Sequence, residues 1–186
     1  MSFGQPIPLV GYSQGGRMAL LAALQHPDLV ERLVLISASP GIREDAVRED
    51  RRARDEDLAD HVEAVGISVF LDEWLGGPIT GTAHLDNGAR RRDRAVRSVN
   101  TASGLAAALR GLGQGAQPYV GDRVADLEIP LLTVSGSTDT TYTTLAREMA
   151  DVAPQGTHIS IDGAGHNVIL DAPQALASAL ADFALG

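Results

Sequence analysis

One heptapeptide constrains this chain more than any other stretch: Gly11-Tyr12-Ser13-Gln14-Gly15-Gly16-Arg17. It follows the apolar Ile7, Leu9 and Val10 and opens onto Met18, Leu20, Leu21 and Leu24, a run of helix-forming composition. Gly-x-Ser-x-Gly between a strand and a helix is the pattern of a nucleophile elbow. The serine of such a turn sits in a sharp, strained conformation with its oxygen exposed. Gly11 and Gly15 are the residues expected to remove Cβ atoms that would clash there. The backbone N–H of Gln14 would then point at the reacting centre as an oxyanion donor, with the positive end of the following helix close by.

Taken in order, the chain alternates strand and helix, breaks off, and resumes. Residues 7–10 read as a buried strand, apolar on both faces as in the middle of a parallel sheet. A helix over 15–25 follows, stopped by His26 and Pro27, and residues 32–36 form a second buried strand. Strand, helix and strand in so short a span make a right-handed βαβ unit. From residue 42 to 128 the character changes to arginine- and acid-rich segments without a convincing strand. Helical spacing there covers 57–65, 69–75, 89–99 and 103–112, the last with Leu105, Leu109 and Leu112 on one face. A loop over 76–88 interrupts them. Strands at 130–134 and 158–161 then frame a helix at 144–152. A last helix starts near Asp171, read as its N-cap with Pro173 in the first turn, and buries Leu176, Leu180 and Phe183. The expected architecture is an α/β core of residues 1–41 and 129–186, with 42–128 inserted as a helical cap.

Composition narrows the function classes. A hydrophobic content of 44% over 186 residues suits one globular domain with a sizeable core. There is no cysteine, hence no thiol nucleophile, disulfide or thiolate metal site. No apolar run reaches the ~18 residues of a membrane span, and the start lacks the basic and apolar regions of a signal peptide. A cytoplasmic protein with no membrane partner is expected. The net charge of −9 disfavours nucleic acid. All 15 basic residues are arginine, so an anion site has to be a local arginine cluster.

Ser13, Asp139 and His166 each fall at the carboxyl end of an expected strand, where open α/β sheets place their ligand crevice. Their order along the chain is that of the Ser-Asp-His triads built on this elbow. Asp139 also suits a helix cap and His166 a surface loop. Jointly, the three point to a relay in which His166 takes the proton of Ser13 while Asp139 fixes its tautomer and stabilises the imidazolium. His158, at the start of a strand, reads as structural.

On these residues the chain resembles the α/β-hydrolase superfamily. Within it, the chain is most similar to the family of 2-succinyl-6-hydroxy-2,4-cyclohexadiene-1-carboxylate synthases of menaquinone biosynthesis. The matching stretches are residues 10–17, 36–41, 51–59, 70–78, 97–100, 113–118, 136–139 and 164–167, which extend over nearly the whole chain. The elbow and the Ala164-Gly165-His166 run are shared widely. Arg97-Ser98-Val99-Asn100, Ala116-Gln117-Pro118 and residues 37–41 are the specific ones. The resemblance implies a lyase that eliminates pyruvate from an enolpyruvyl cyclohexene carrying succinyl and carboxylate groups, with Ser13 acting as base rather than acyl nucleophile. It implies substrate contacts from Tyr12, Arg17, Arg51, Trp74 and Arg97, and no cofactor or metal. A small polycarboxylate gives arginines on separate elements a physical purpose, since each binds a carboxylate bidentately.

Alternatives stay open from the residues alone. One is a serine hydrolase of esters or carbon–carbon bonds on the same three residues; another is an inactive fragment serving as an interaction module. Residues 43–57 hold five arginines among seven acids, a composition of solvated helix faces, and Arg52 could take the place of Arg51. Thr140, Thr141 and Tyr142 stand where the family often has basic and aromatic residues, which bears on the local support of Asp139. The family has further strands ahead of the elbow, including a His-Gly loop that supplies the second oxyanion N–H. The expectations are a start farther upstream, a partner that supplies that half, or a decayed remnant. Expressed alone, the chain is expected to be poorly soluble or partner-dependent, and inactive, since the 7–10 strand would have an unpaired apolar edge and leave Leu9 and Val10 exposed.

Overall fold

The computed structural model describes residues 5–77, 82 and 84–185. In order these form β1 (Ile7–Tyr12), α1 (Gln14–Gln25), β2 (Val30–Ile36), α2 (Asp45–Trp74), α3 (Asn87–Arg97), α4 (Ala102–Leu112), β3 (Leu131–Gly136), α5 (Thr140–Val152), β4 (Gly156–Ile161), α6 (Val168–Asp171) and α7 (Pro173–Leu185). Short 3-10 turns cover Pro27–Leu29 and Gly121–Asp126. The chain divides into two compact units, Met1–Gly41 with Tyr119–Gly186, and Ile42–Pro118. Among the described residues no helix is long and apolar enough to cross a membrane.

The first unit is built on a parallel sheet of order β1-β2-β3-β4. Parallel neighbours need a crossover, and α1 and α5 supply it between β1 and β2 and between β3 and β4. Because side chains alternate across a strand, the apolar runs of β2 and β3 feed two separate cores. Leu33, Leu35 and Leu131 pack with Leu20, Val124, Leu127 and Met149 on one face. Val34, Ile36, Leu132 and Val134 pack with Ile161, Val168 and Leu176 on the other, where Leu180 and Phe183 lie partly buried.

One expectation holds here and one changes. β1 has β2 as its partner and forms an edge of the described sheet; Ile7 and Val10 are 43% and 51% exposed, while Leu9 packs on the first core. The open edge and the exposure of Val10 are as expected for this strand, whereas Leu9, expected to be exposed with it, is partly buried. Residues 119–128, read as the end of the helical insertion, belong to the α/β unit, because Val120, Val124 and Leu127 fill its first core.

In the second unit α2 packs along α4, through Ala59, Val62, Phe70 and Ala106 with Leu58, Val65, Leu105 and Leu109 at the margin. The two helices expected over 57–65 and 69–75 form one element that begins at Asp45 and breaks at Gly66, whose φ of 79° and ψ of 162° are left-handed-side values open to glycine. Phe70 and Trp74, one turn apart past the break, stack at 5.5 Å. Arg110 of α4 pairs with Glu56, Asp60 and Glu63 along one face of α2. Leu112, expected on the apolar face of α4, is exposed. Pro78, at the end of one matching stretch, lies outside the described residues.

Candidate active site

Ser13 stands alone between β1 and α1. Its φ of 49° and ψ of −114° lie in a region that residues with a Cβ seldom occupy. The turn is held by the Ser13 N–H donating to the Ile36 carbonyl at 2.8 Å and the Arg17 N–H donating to the Ser13 carbonyl at 3.0 Å. Glycine is required on both sides of it. A Cβ on Gly11 would lie 2.5 Å from the Gly15 oxygen and the Gly16 Cα, and one on Gly16 would lie 2.6 Å from the Ala38 Cβ. Gly15, the second glycine of the motif, has open space where its Cβ would be. The expected clash at Gly15 is thus absent, and the close approach belongs to Gly16. Gln14 is the first residue of α1, in the turn whose N–H groups have no intrahelical acceptor.

His166 arrives from the loop after β4, with its Nε2 3.2 Å from Ser13 Oγ and its Nδ1 2.7 Å from Asp139 Oδ2. The His166 and Asp139 side chains are 8% and 14% exposed. A carboxylate accepts only, so the imidazole proton sits on Nδ1 and the Nε2 lone pair faces the hydroxyl. The arrangement can accept the Ser13 proton and hold the resulting imidazolium against a carboxylate.

Asp139 satisfies both of its sequence readings. Its Oδ2 meets His166, while its Oδ1 caps α5 by accepting the Tyr142 N–H at 3.3 Å. The departure at residues 140–142 leaves the aspartate supported, because α5 starts at Thr140 rather than at 144. Tyr142, which sequence reasoning did not place in the site, lays its ring edge-on to His166 at 4.4 Å, and Tyr12 lies 5.9 Å from the same ring.

The loops carrying the acid and the histidine are stitched together. Thr138 donates to the Ala164 carbonyl from both its N–H, at 3.0 Å, and its hydroxyl, at 2.8 Å. Ser137 Oγ accepts the Gly163 N–H at 2.9 Å. A Cβ on Gly136 would lie 2.2 Å from the Gly165 oxygen, so the backbones touch. Asp171, expected to cap the last helix, ends α6 and accepts the Gly165 N–H at 2.8 Å, next to His166. Which backbone residues 137 and 138 would grip was not readable from local sequence.

Away from the site, His158 Nε2 lies 3.0 Å from Ser135 Oγ, in keeping with a structural role. Burial, then the Arg147 charge, holds its pKa below the ordinary histidine value, against an opposing pull from Asp151.

Of the expected substrate residues, Tyr12 and Arg17 belong to the α/β unit with Ser13, Gln14, Asp139 and His166; Arg17 is buried at the start of α1. Arg51, Trp74 and Arg97 belong to the helical unit. Arg51 is half-buried and bonded to Asp55, whereas Arg52 is exposed. Arg97 is bonded to Asp93. No group of three or more His, Cys, Asp or Glu side chains among the described residues could hold a metal ion.

Residues 1–173 match the family model described as alpha/beta hydrolase fold. A Bacillus subtilis (strain 168) protein is 32% identical over 178 residues, 95% of this chain and 65% of its own length. The 2-succinyl-6-hydroxy-2,4-cyclohexadiene-1-carboxylate synthase of Salmonella heidelberg (strain SL476) is 31% identical over 173 residues, 93% of this chain and 66% of its own length. The chain thus spans about two thirds of the length of these curated relatives. Among solved structures, MenH from S. aureus superposes with a TM-score of 0.93 at 29% identity, over 97% of this chain and 68% of that one. An esterase from Thermogutta terrifontis shares the fold, with a TM-score of 0.80 at 24% identity over 96% of this chain and 64% of that one.

Proposed function

Because this chain belongs to the α/β-hydrolase fold family, we propose that its elbow serves proton abstraction and elimination rather than hydrolysis. The reaction is release of pyruvate from 2-succinyl-5-enolpyruvyl-6-hydroxy-3-cyclohexene-1-carboxylate in menaquinone biosynthesis, in the cytoplasm and without a cofactor. The observation that carries the reading is the unbroken link from Ser13 Oγ through His166 to Asp139, at 3.2 and 2.7 Å, on a serine held at positive φ. The named activity of the Salmonella relative and the likeness to MenH support the choice of reaction.

In this reading His166 Nε2 takes the Ser13 proton, and the alkoxide removes a proton from the substrate ring. The C–H electron pair becomes a new ring double bond, the existing ring double bond shifts by one position, and the C–O bond to the enolpyruvyl group breaks. Pyruvate leaves as its enolate, takes up the proton held on His166 and tautomerises to the keto acid. Charge that develops on the substrate during abstraction is met by the Gln14 N–H and the start of α1. Within the α/β unit Arg17 and Tyr12 are substrate-contacting residues; within the helical unit Arg51 and Arg97 are carboxylate-binding residues and Trp74 offers an apolar ring face.

The test is pyruvate formation from the enolpyruvyl substrate, followed by coupled lactate dehydrogenase absorbance. Release above the uncatalysed rate supports the lyase. No release, with ester turnover and phosphonate labelling of Ser13, assigns a hydrolase instead; neither activity assigns an inactive module.

A further inference from the structure

Arg51 and Arg97 lie on different helices and are restrained in the same way. Arg51 Nε donates to Asp55 Oδ1 at 2.7 Å, and Arg97 Nε donates to Asp93 Oδ2 at 2.8 Å. Each pair is spaced four residues apart along its helix, in α2 for Arg51 and in α3 for Arg97. In both, the carboxylate is the more buried member: the Asp55 and Asp93 side chains are 5% and 10% exposed, against 40% and 30% for Arg51 and Arg97. Nearly buried carboxylates that hold half-exposed guanidinium groups by Nε are unlike the exposed ladder on Arg110.

A guanidinium has two edges for a carboxylate, one along Nε and Nη, the other end-on through both Nη atoms. Occupying Nε removes the first edge. Among the described residues, neither Nη atom of Arg97 makes a hydrogen bond. Arg51 uses Nη1 on Gln114 Oε1 at 3.2 Å, and its Nη2 makes none among the described residues. Asp55 is fully committed, since its Oδ2 accepts the Gly115 N–H at 3.1 Å. A Cβ on Gly113 would lie 2.4 Å from that oxygen, and one on Gly115 would lie 2.2 Å from the Arg52 backbone nitrogen. The 113–115 loop is therefore fitted against Asp55, and the matching stretch at 113–118 has a physical function.

We propose that Asp55 and Asp93 are positioning residues that lock Arg51 and Arg97 by Nε and so present Nη donors end-on to substrate carboxylates. The proposal rests on the reading of Arg51 and Arg97 as carboxylate-binding residues. The gain is pre-organisation: an arginine fixed at Nε has less side-chain rotamer entropy left to lose on binding.

Asp93 gives the cleaner variant, because asparagine at 55 would turn an NH2 group toward either the Arg51 Nε–H or the Gly115 N–H. The experiment uses 15N-labelled protein and reads Arg97 Nε–H exchange, then titrates with succinate as the carboxylate probe. In the wild type the Nε–H exchanges at least tenfold more slowly than in Asp93→Ala, and Asp93→Ala weakens succinate binding about fivefold. In an Arg97→Ala background, Asp93→Ala changes succinate binding less than twofold, a result a merely structural aspartate would not produce. Equal Nε–H exchange in both proteins, or the same loss of binding with and without Arg97, overturns the proposal. The outcome is independent of turnover: a protein that releases no pyruvate yet shows this coupling loses the lyase reading and keeps the positioning roles.

Discussion

Asp139 Oδ2 lies 2.7 Å from His166 Nδ1, while the same carboxylate caps α5 through its other oxygen. One side chain thus sets both the imidazole tautomer and the start of the helix behind it. The two duties separate in Asp139→Asn. The amide oxygen can still accept the Tyr142 N–H, but the NH2 group facing Nδ1 demands the other tautomer and leaves Nε2 unable to accept the Ser13 proton. Turnover is expected to fall on the order of 10⁴-fold, as for the equivalent change in a serine protease. The melting temperature should change little, whereas Asp139→Ala also loses a cap contributing about 1 kcal/mol. Pyruvate release and thermal melts on both variants check this.

The three glycines of the elbow differ in what an alanine would meet. Gly11→Ala and Gly16→Ala place a Cβ 2.5 and 2.6 Å from atoms of the turn and of Ala38, and each should cost about 1–3 kcal/mol or more. Gly15→Ala meets nothing and removes the helix penalty of glycine, about 1 kcal/mol. Differential scanning calorimetry should show the first two melting lower and Gly15→Ala unchanged or higher.

His158 makes stability fall in acid. Its folded pKa lies below its unfolded value of 6.5, so the unfolded chain binds more protons between the two. The contribution is complete above the unfolded value and is lost as pH falls from there through the folded one. Melting temperature should therefore drop between pH 7 and pH 5. His158→Gln should flatten that part of the profile while the Arg147 and Asp151 charges remain. An unchanged slope would remove His158 as its source.

Arg97→Lys should raise KM for the carboxylate substrate at least tenfold, with kcat and melting temperature close to wild type. An ammonium group has no planar fork to be held at one nitrogen and bind at two others, and a charge-assisted hydrogen bond contributes about 1.5–3 kcal/mol. Steady-state kinetics decide it, and unchanged KM would return Arg97 to a solvated helix face.

What could be read from sequence was what depends on local pattern. The apolar runs of β2 and β3, the strand-end positions of Ser13, Asp139 and His166, and the apolar spacing of α7 all follow from side-chain period and turn chemistry. What could not be read depends on distant neighbours. Gly16 matters because of Ala38, two residues past the end of β2, and Tyr142 because His166 comes to it from the loop after β4. Asp171 looks like a cap in sequence and serves the Gly165 N–H in space. Residues 43–57 look like a solvated helix face, and in the fold Asp55 alone among their acids is buried.

The most direct measurement is pyruvate release from 2-succinyl-5-enolpyruvyl-6-hydroxy-3-cyclohexene-1-carboxylate by wild type, Ser13→Ala and His166→Ala side by side. Against the sequence expectation of an inactive chain, the assembled Ser13–His166–Asp139 relay predicts release by the wild type above the uncatalysed rate and a loss of several orders of magnitude in each variant, toward the ~10⁶-fold seen when such a relay is removed. A wild type that releases no pyruvate, or a Ser13→Ala protein that keeps more than a tenth of the rate, would contradict it.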